Sequence, residues 1–126
     1  NGTAHREPLI DLPIIAAGNI DGGVIAVPRM LLPTDVPHDH LAVTHADAAA
    51  PDMNEGDMLL VDRRDRDPDD GSIVVAEVDG EIVVREVYRA GELRLLLGTQ
   101  GHRGRVLPEA ILGRVVRIVQ IRDLER

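Results

Sequence analysis

The sequence predicts a mostly β domain, a compact unit of about eight short strands. Apolar runs are short, and turns rich in Gly, Pro and Asp separate them. No stretch repeats its apolar residues with the 3.6-residue period of a helix. The residues available for a core are Val, Ile, Leu and Ala, and the only aromatic residue is Tyr88. Such a core suits packed strands.

The predicted strands lie at 12–18, 24–27, 41–44, 58–61, 72–78, 81–87, 93–97 and 111–121. Residues 1–11 are polar and predict a linker or an expression-derived terminus, so we expect one domain over 12–126. The first strand ends in small residues, and the second is closed by Pro28. Pro33 and Pro37 make the stretch before residue 40 a loop.

The stretch after the third strand carries the first candidate site residue. A run of alanines ends at Pro51, and a tight Glu55-Gly56-Asp57 turn precedes the next strand. Pro51 lacks a donor and restricts Ala50, so the run can form at most one helical turn. It contains Asp47 among small residues that leave room for a substrate backbone. Reactive side chains are often presented in this way on rigid scaffolds.

A hairpin and a second candidate residue follow. Asp79-Gly80 between two apolar runs favours a turn whose central residues both have positive φ. Alternation along the second strand places Arg85 on one face with Val83 and Val87. On an inward face the guanidinium must find an acceptor, because an unpaired buried charge is costly. On an outward face it is simply solvated, and the sequence leaves both alternatives open.

The other segments of the second half are polar. They are a charged loop at 63–70, a turn that begins at Arg89, and a glycine-rich loop at 98–105.

Composition excludes several functions. The formal charge of −8 argues against direct binding to nucleic acid, which requires a positive face. The absence of cysteine excludes disulfides, thiolate nucleophiles and cysteine metal sites. No apolar run approaches the roughly 18 residues of a membrane span. No signal peptide opens the chain, so we expect a cytoplasmic protein without a membrane partner.

Five segments, in order, resemble the C-terminal autoprotease domain of LexA-type repressors, which is related to UmuD and phage repressors. LPIIAAG (12–18) is similar to the segment around the family's Ala-Gly self-cleavage bond. VTHADA (43–48) and EGDML (55–59) stand where the family has its Gly-Met-Ser-Met box, then Asp-Gly-Asp and a strand. GSIVVA (71–76) and EIVVR (81–85) stand where it has a Gly-x-Val-Val-Val-Ala strand and its lysine-bearing strand.

The resemblance implies a replaced catalytic pair. In the family a serine attacks the peptide carbonyl, and a desolvated lysine removes its proton. Asp47 stands at the serine position, Arg85 at the lysine position and Ala17-Gly18 at the cleaved bond. Guanidinium groups stay protonated in proteins and cannot act as bases, and a carboxylate has no hydroxyl to activate. All 14 basic residues are arginine, and the only serine, Ser72, lies outside the box.

We therefore expect no Ser-Lys catalysis and no cofactor. A carboxylate and a guanidinium at facing positions would form a bidentate ion pair. Our hypothesis is that Asp47 and Arg85 form this pair and fill the former catalytic cleft.

Two other chemistries stay open. A zinc site takes three protein ligands plus water, and its candidates here are His38, His40, His45 and Asp47. The first two of these histidines lie in a proline-flanked loop, where histidines are mostly solvated. A pair of carboxylates, Asp47 with Asp57 or Glu55, is the other arrangement that could support hydrolysis.

Two functions follow. The first is a non-catalytic regulatory and dimerisation domain of a LexA-like transcriptional repressor of the SOS-response type. It would form a homodimer and reach DNA only through a domain absent from this chain. The alternative is an active hydrolase, either an autoprotease that uses a route other than Ser-Lys or a metal enzyme that uses the histidines. The replaced pair favours the first.

Overall fold

The computed structural model describes residues 9–16, 23–28, 30, 40–44, 47–48, 57–101 and 103–120. Within these ranges ten strands form one sheet. They are β1 (Leu9–Ala16), β2 (Val24–Pro28), β3 (His40–Thr44), β4 (Asp47–Ala48), β5 (Met58–Asp62), β6 (Ile73–Val78), β7 (Glu81–Ala90), β8 (Leu93–Leu97), β9 (Arg103–Val106) and β10 (Ile111–Val119). Short 3-10 helices span Thr99–Gly101 and Pro108–Ala110. The predicted mostly β class is confirmed.

The sheet runs in the order β2-β1-β3-β5-β10-β6-β7-β8-β9, and β4 adds to β7. Most neighbours are antiparallel, while β1 with β3 and β4 with β7 are parallel pairs. The last strand of the chain, β10, lies in the middle, between β5 and β6. None of the helices in the described ranges has the length and apolar character needed to cross a bilayer.

All eight predicted strands are present, and two strands were not predicted. β9 begins inside the stretch 98–105 that was predicted as a loop. It was missed because residues 103–105 of this edge strand are exposed and need no apolar pattern. β4 has two residues and is defined by its backbone pairing with β7.

Two predicted boundaries differ from those of the structure by three residues, and the others differ by no more than two. β1 begins at Leu9, inside the stretch predicted as a linker, because Leu9 to Pro13 pair with β2 and Ile10 packs against the core. β7 continues to Ala90, so the turn predicted from Arg89 begins at Gly91 instead. Antiparallel pairing with β8 carries this strand beyond its apolar residues.

The hairpin between β6 and β7 is confirmed. Asp79 has a φ of 52° and Gly80 a φ of 82°, so both central residues adopt the left-handed conformation. The two strands pair from Val78 with Glu81 to Ile73 with Glu86. This register places Val74 directly opposite Arg85.

The sheet is buried on both faces over much of its width. A central cluster lies on one face and extends from β1 to β7: Ile15, Leu41, Val43, Leu59, Val61, Val75, Ile82 and Val84. The other face carries an N-terminal cluster of Leu12, Val27, Ala42, Met58 and Leu60. It also carries a C-terminal cluster of Val74, Ala76, Val83, Val87, Leu96 and Ile111. These clusters hold β7 rigidly between β6 and β8.

Candidate functional site

The candidate site lies where β7 changes its neighbour. One edge of β7 pairs with β6 throughout residues 81–86. The opposite edge pairs first with β4, at Val83 and Val84, and then with β8 from Glu86 onward. Arg85 therefore lies at the junction between β4 and β8. In a strand held on both sides, a side chain at such a junction has a fixed position.

The two residues singled out from the sequence meet at this junction at the level of the backbone. Asp47 is the register partner of Val83, two positions along β7 from Arg85. Parallel pairing of β4 with β7 thus brings together segments far apart in sequence. The side chain of Asp47 lies outside the described part of the structure, so the Asp47–Arg85 ion pair stays a prediction.

Arg85 faces inward, which decides the alternative that the sequence left open. Its relative exposure is 8%, and Val83 and Val87 of the same face belong to the C-terminal cluster. Its Nη1 donates a hydrogen bond to the carbonyl oxygen of Val84 at 2.9 Å. A buried guanidinium requires such acceptors, because desolvation of an uncompensated charge is expensive.

A small cavity of about 110 Å³ opens beside Arg85. Its walls are Val78, Val83, Arg85, Leu96, Arg103 and Gly104. Leu96 of β8 pairs with Gly104 of β9, so the edge of the sheet forms one wall. Sequence reasoning missed Arg103 because the β8–β9 pairing was not predicted.

The cleavage-site-like residues Ala17 and Gly18 lie outside the described residues. They directly follow Ala16, the last residue of β1, which pairs with Thr44 at the end of β3. Asp47 begins β4 three residues after Thr44. Because β1 and β3 are parallel, both strands end at the same end of the sheet. β4 follows β3 in the chain.

Of the four zinc candidates, the structure describes the side chain of His40 alone. The expectation that His40 lies in a solvated loop was wrong: His40 opens β3, is fully buried, and pairs in register with Asp62. Neither of its ring nitrogens has a hydrogen-bond partner among the described residues. The described part of the chain contains no group of three His, Asp or Glu residues that could hold a metal ion. His38 and His45 lie outside that part. Asp57 is described and half-buried, and Glu55 is outside.

The neighbour of His40, Asp62, was not recognised from the sequence. Its Oδ1 accepts hydrogen bonds from the backbone N–H of Arg64 at 2.9 Å and from Arg64 Nε at 3.2 Å. Burial raises the pKa of Asp62, but the hydrogen bonds and charge of Arg64, with a contribution from His40, outweigh it and hold that pKa below 3.8. An acid that ends an apolar strand and precedes two arginines is the signal that could have indicated this cluster.

Comparisons with known proteins agree with the resemblance drawn from the motifs. The model of the Peptidase S24-like family matches residues 11–116. The chain is 34% identical over 110 residues to LexA repressor 1 of Xanthomonas oryzae pv. oryzae, and the match covers 80% of this chain and 54% of that repressor. The values for LexA repressor 1 of Xanthomonas axonopodis pv. citri are the same. The chain spans about half the length of the curated relatives it matches.

Proposed function

The chain belongs to the Peptidase S24-like family, and on that premise we propose that it is a regulatory domain of a LexA-like transcriptional repressor that has lost self-cleavage. In this proposal the domain dimerises, works in the cytoplasm as part of an SOS-type response, and reaches DNA through a part of the repressor outside this chain. The curated relatives, both named as LexA repressors, support the repressor class.

The observation that carries the proposal is the buried guanidinium at the β4–β8 junction. Arg85 occupies the position that the resemblance assigns to the lysine base, and its exposure is 8%. A buried lysine can become a base because desolvation favours its neutral form. A guanidinium does not lose its proton under the same conditions. The proton acceptor that the mechanism needs is thus absent at this position.

The second half of the replaced pair supports the same conclusion. Asp47, which the resemblance assigns to the serine position, has no hydroxyl and would be a poor nucleophile toward an amide. Its register position beside Val83 places its backbone close to that of Arg85. A carboxylate there would compensate the buried positive charge and form strong, charge-assisted hydrogen bonds. We propose that this ion pair stabilises the fold where the family performs catalysis.

Self-cleavage is tested on the purified chain at mildly alkaline pH. We expect no scission between Ala17 and Gly18 by mass spectrometry, with or without added zinc. The double variant Asp47→Ser/Arg85→Lys restores the chemistry of the pair and serves as the positive control, while each single variant should stay inactive. Scission in the unaltered chain would support the hydrolase alternative and overturn the proposal.

Dimerisation is tested separately, by sedimentation equilibrium over a range of protein concentrations. We expect a reversible monomer–dimer equilibrium. The sheet supports this, because β2 and β9 end it with unpaired edges and Val24 of β2 is 64% exposed. A chain that stays monomeric at the highest concentration would remove dimerisation from the proposal and leave the loss of cleavage untouched.

A further inference from the structure

We propose that the cavity beside Arg85 binds a carboxylate group, which Arg85 contacts from inside the sheet and Arg103 contacts from the edge strand β9. This inference concerns binding and does not depend on whether the chain cleaves itself. It starts from the charges of the cavity wall. Of the six described residues that line the cavity, two are arginines and none is an acid.

The two cations differ in burial, and this gives each a separate part in binding. Arg85 is 8% exposed, and Val83 and Val87 on the same face of β7 belong to the C-terminal cluster. Arg103 is exposed and belongs to the edge strand, where its register partner is Leu97. One guanidinium is therefore preorganised, and the other can close over a bound group from the solvent side. Preorganised donors lose little freedom on binding, which favours affinity.

The charge balance of the site also favours an anion. Two guanidinium groups line the same small cavity, and like charges at one site disfavour each other. A guanidinium carries five N–H donors, so Arg85 can bind more than one acceptor. With Asp47 paired to Arg85, as proposed, the charges of that pair and Arg103 still sum to one positive charge. A single bound carboxylate would neutralise it.

Size and wall composition indicate a carboxylate attached to a small apolar group. A cavity of about 110 Å³ has room for only a small group. Acetate is such a group, and Val78, Val83 and Leu96 would surround its methyl group. Phosphate would carry more charge into the same apolar walls, at a higher desolvation cost. The group could come from a free acid or from the end of a peptide chain.

Binding is tested by NMR titration of the intact chain with acetate, at ionic strength held constant with sodium chloride. We expect saturable shifts at the Gly104 amide and at the Arg103 Nε–H, and no such shifts with acetamide. Arg103→Gln should weaken binding about tenfold, the usual effect of losing one charged hydrogen bond. Arg105→Gln is the matched control, because Arg105 is exposed on the same strand and does not line the cavity.

Two further experiments identify the source of the carboxylate group and test the role of Asp47. A short alanine peptide with a free C-terminus that binds at least tenfold more tightly than acetate, while its amidated form does not bind, identifies a chain end. Equal affinity of acetate and the peptide identifies a free acid. Either of these two results supports the proposed site. Asp47→Asn should tighten acetate binding, since it removes a competing carboxylate. Absence of saturable binding by acetate and peptide, or equal weakening by the two arginine variants, would overturn the inference.

Discussion

At the scale of single residues, Asp62 and Arg64 form a part-buried ion pair outside the cavity beside Arg85. Asp62 is 8% exposed and lies beside the fully buried His40 on the face of the N-terminal cluster. Burial by itself would raise the pKa of Asp62, and the contacts of Arg64 reverse the direction. The carboxylate stays charged inside the sheet because Arg64 supplies a backbone N–H, Nε and Nη2.

Replacing that arginine should therefore change the acid stability of the domain. The folded pKa of Asp62 lies below its ordinary 3.8, so its contribution to stability is present above that value and is lost as the pH falls through the folded pKa. In Arg64→Gln the side-chain hydrogen bonds and the charge of Arg64 are lost, so the folded pKa of Asp62 rises. The stability that Asp62 contributes at higher pH, and that is lost on acidification, therefore becomes smaller. Carboxyl NMR titration of Asp62, together with urea unfolding at several acidic pH values, measures both effects.

The matched control for this experiment is Arg63→Gln. Arg63 is adjacent in sequence, exposed, and absent from the interactions that shift the pKa of Asp62. It should leave the titration midpoint of Asp62 unchanged. An equal shift in both variants would mean that overall charge, and not the specific contacts of Arg64, lowers this pKa.

Residue roles could be predicted from the sequence where a resemblance or a chemical rule applied, and not where they depended on register. The sequence indicated Asp47 and Arg85, and the structure pairs Asp47 with Val83, two positions along β7 from Arg85. Whether Arg85 faces inward was not predictable, because β7 is buried on both faces and has no polar side to mark the exterior. Arg103 was missed for a different reason: its place at the cavity exists only through the pairing of β9 with β8.

At the scale of elements, β10 shows how a central strand adapts to two different neighbours. Its pairing shifts register between Ile111 and Gly113 against β6, and between Val115 and Arg117 against β5. Such irregularities bend a strand and increase its twist. Gly113 lies at the first of them, where β10 approaches β5 closely. A Cβ atom there would be 2.5 Å from the carbonyl oxygen of Asp62.

We expect Gly113→Ala to destabilise the domain by about 2 kcal/mol, the usual range for an overpacked interior. The added methyl would meet backbone, and Val61 Cγ1 at 2.7 Å, so neither neighbour can move cheaply. The measurement is the free energy of unfolding in urea. Gly104→Ala is the control, because nothing lies within 4 Å of its added Cβ on the edge strand. Similar losses in both variants would contradict the close approach as the cause.

Strands with a buried apolar face could be predicted from the sequence. Strands that exist only through backbone pairing with a neighbour, such as β4 and β9, could not. The hairpin was identified because Asp79-Gly80 is a local turn signal that needs no knowledge of the rest of the fold. β9 has three exposed residues, Arg103, Gly104 and Arg105, and carries no apolar alternation. β4 is two residues long and depends on a partner 36 positions away along the chain, since Asp47 pairs with Val83. No local pattern contains that information.

At the scale of the whole molecule, the last strand of the chain joins two halves of the sheet. Strands β2-β1-β3-β5 lie on one side of β10, and β6-β7-β8-β9 lie on the other. The central cluster extends across both halves, whereas the N-terminal and C-terminal clusters each belong to one. The candidate site lies in the half formed by β6-β7-β8-β9, to which β4 adds by pairing with β7. Its geometry thus depends on the joining strand indirectly, through β6.

This arrangement predicts a gradient of local stability across the sheet. β10 pairs with β5 on one side and with β6 on the other. The amides of these three strands can therefore exchange only when much of the sheet opens. β2 and β9 have one neighbour each, and Val24 of β2 is 64% exposed. Native-state hydrogen exchange in increasing urea should show global opening for β10 and lower-energy, local opening for β2 and β9. If the amides that bond β9 to β8 were as protected as those of β10, the predicted gradient of local stability would be wrong.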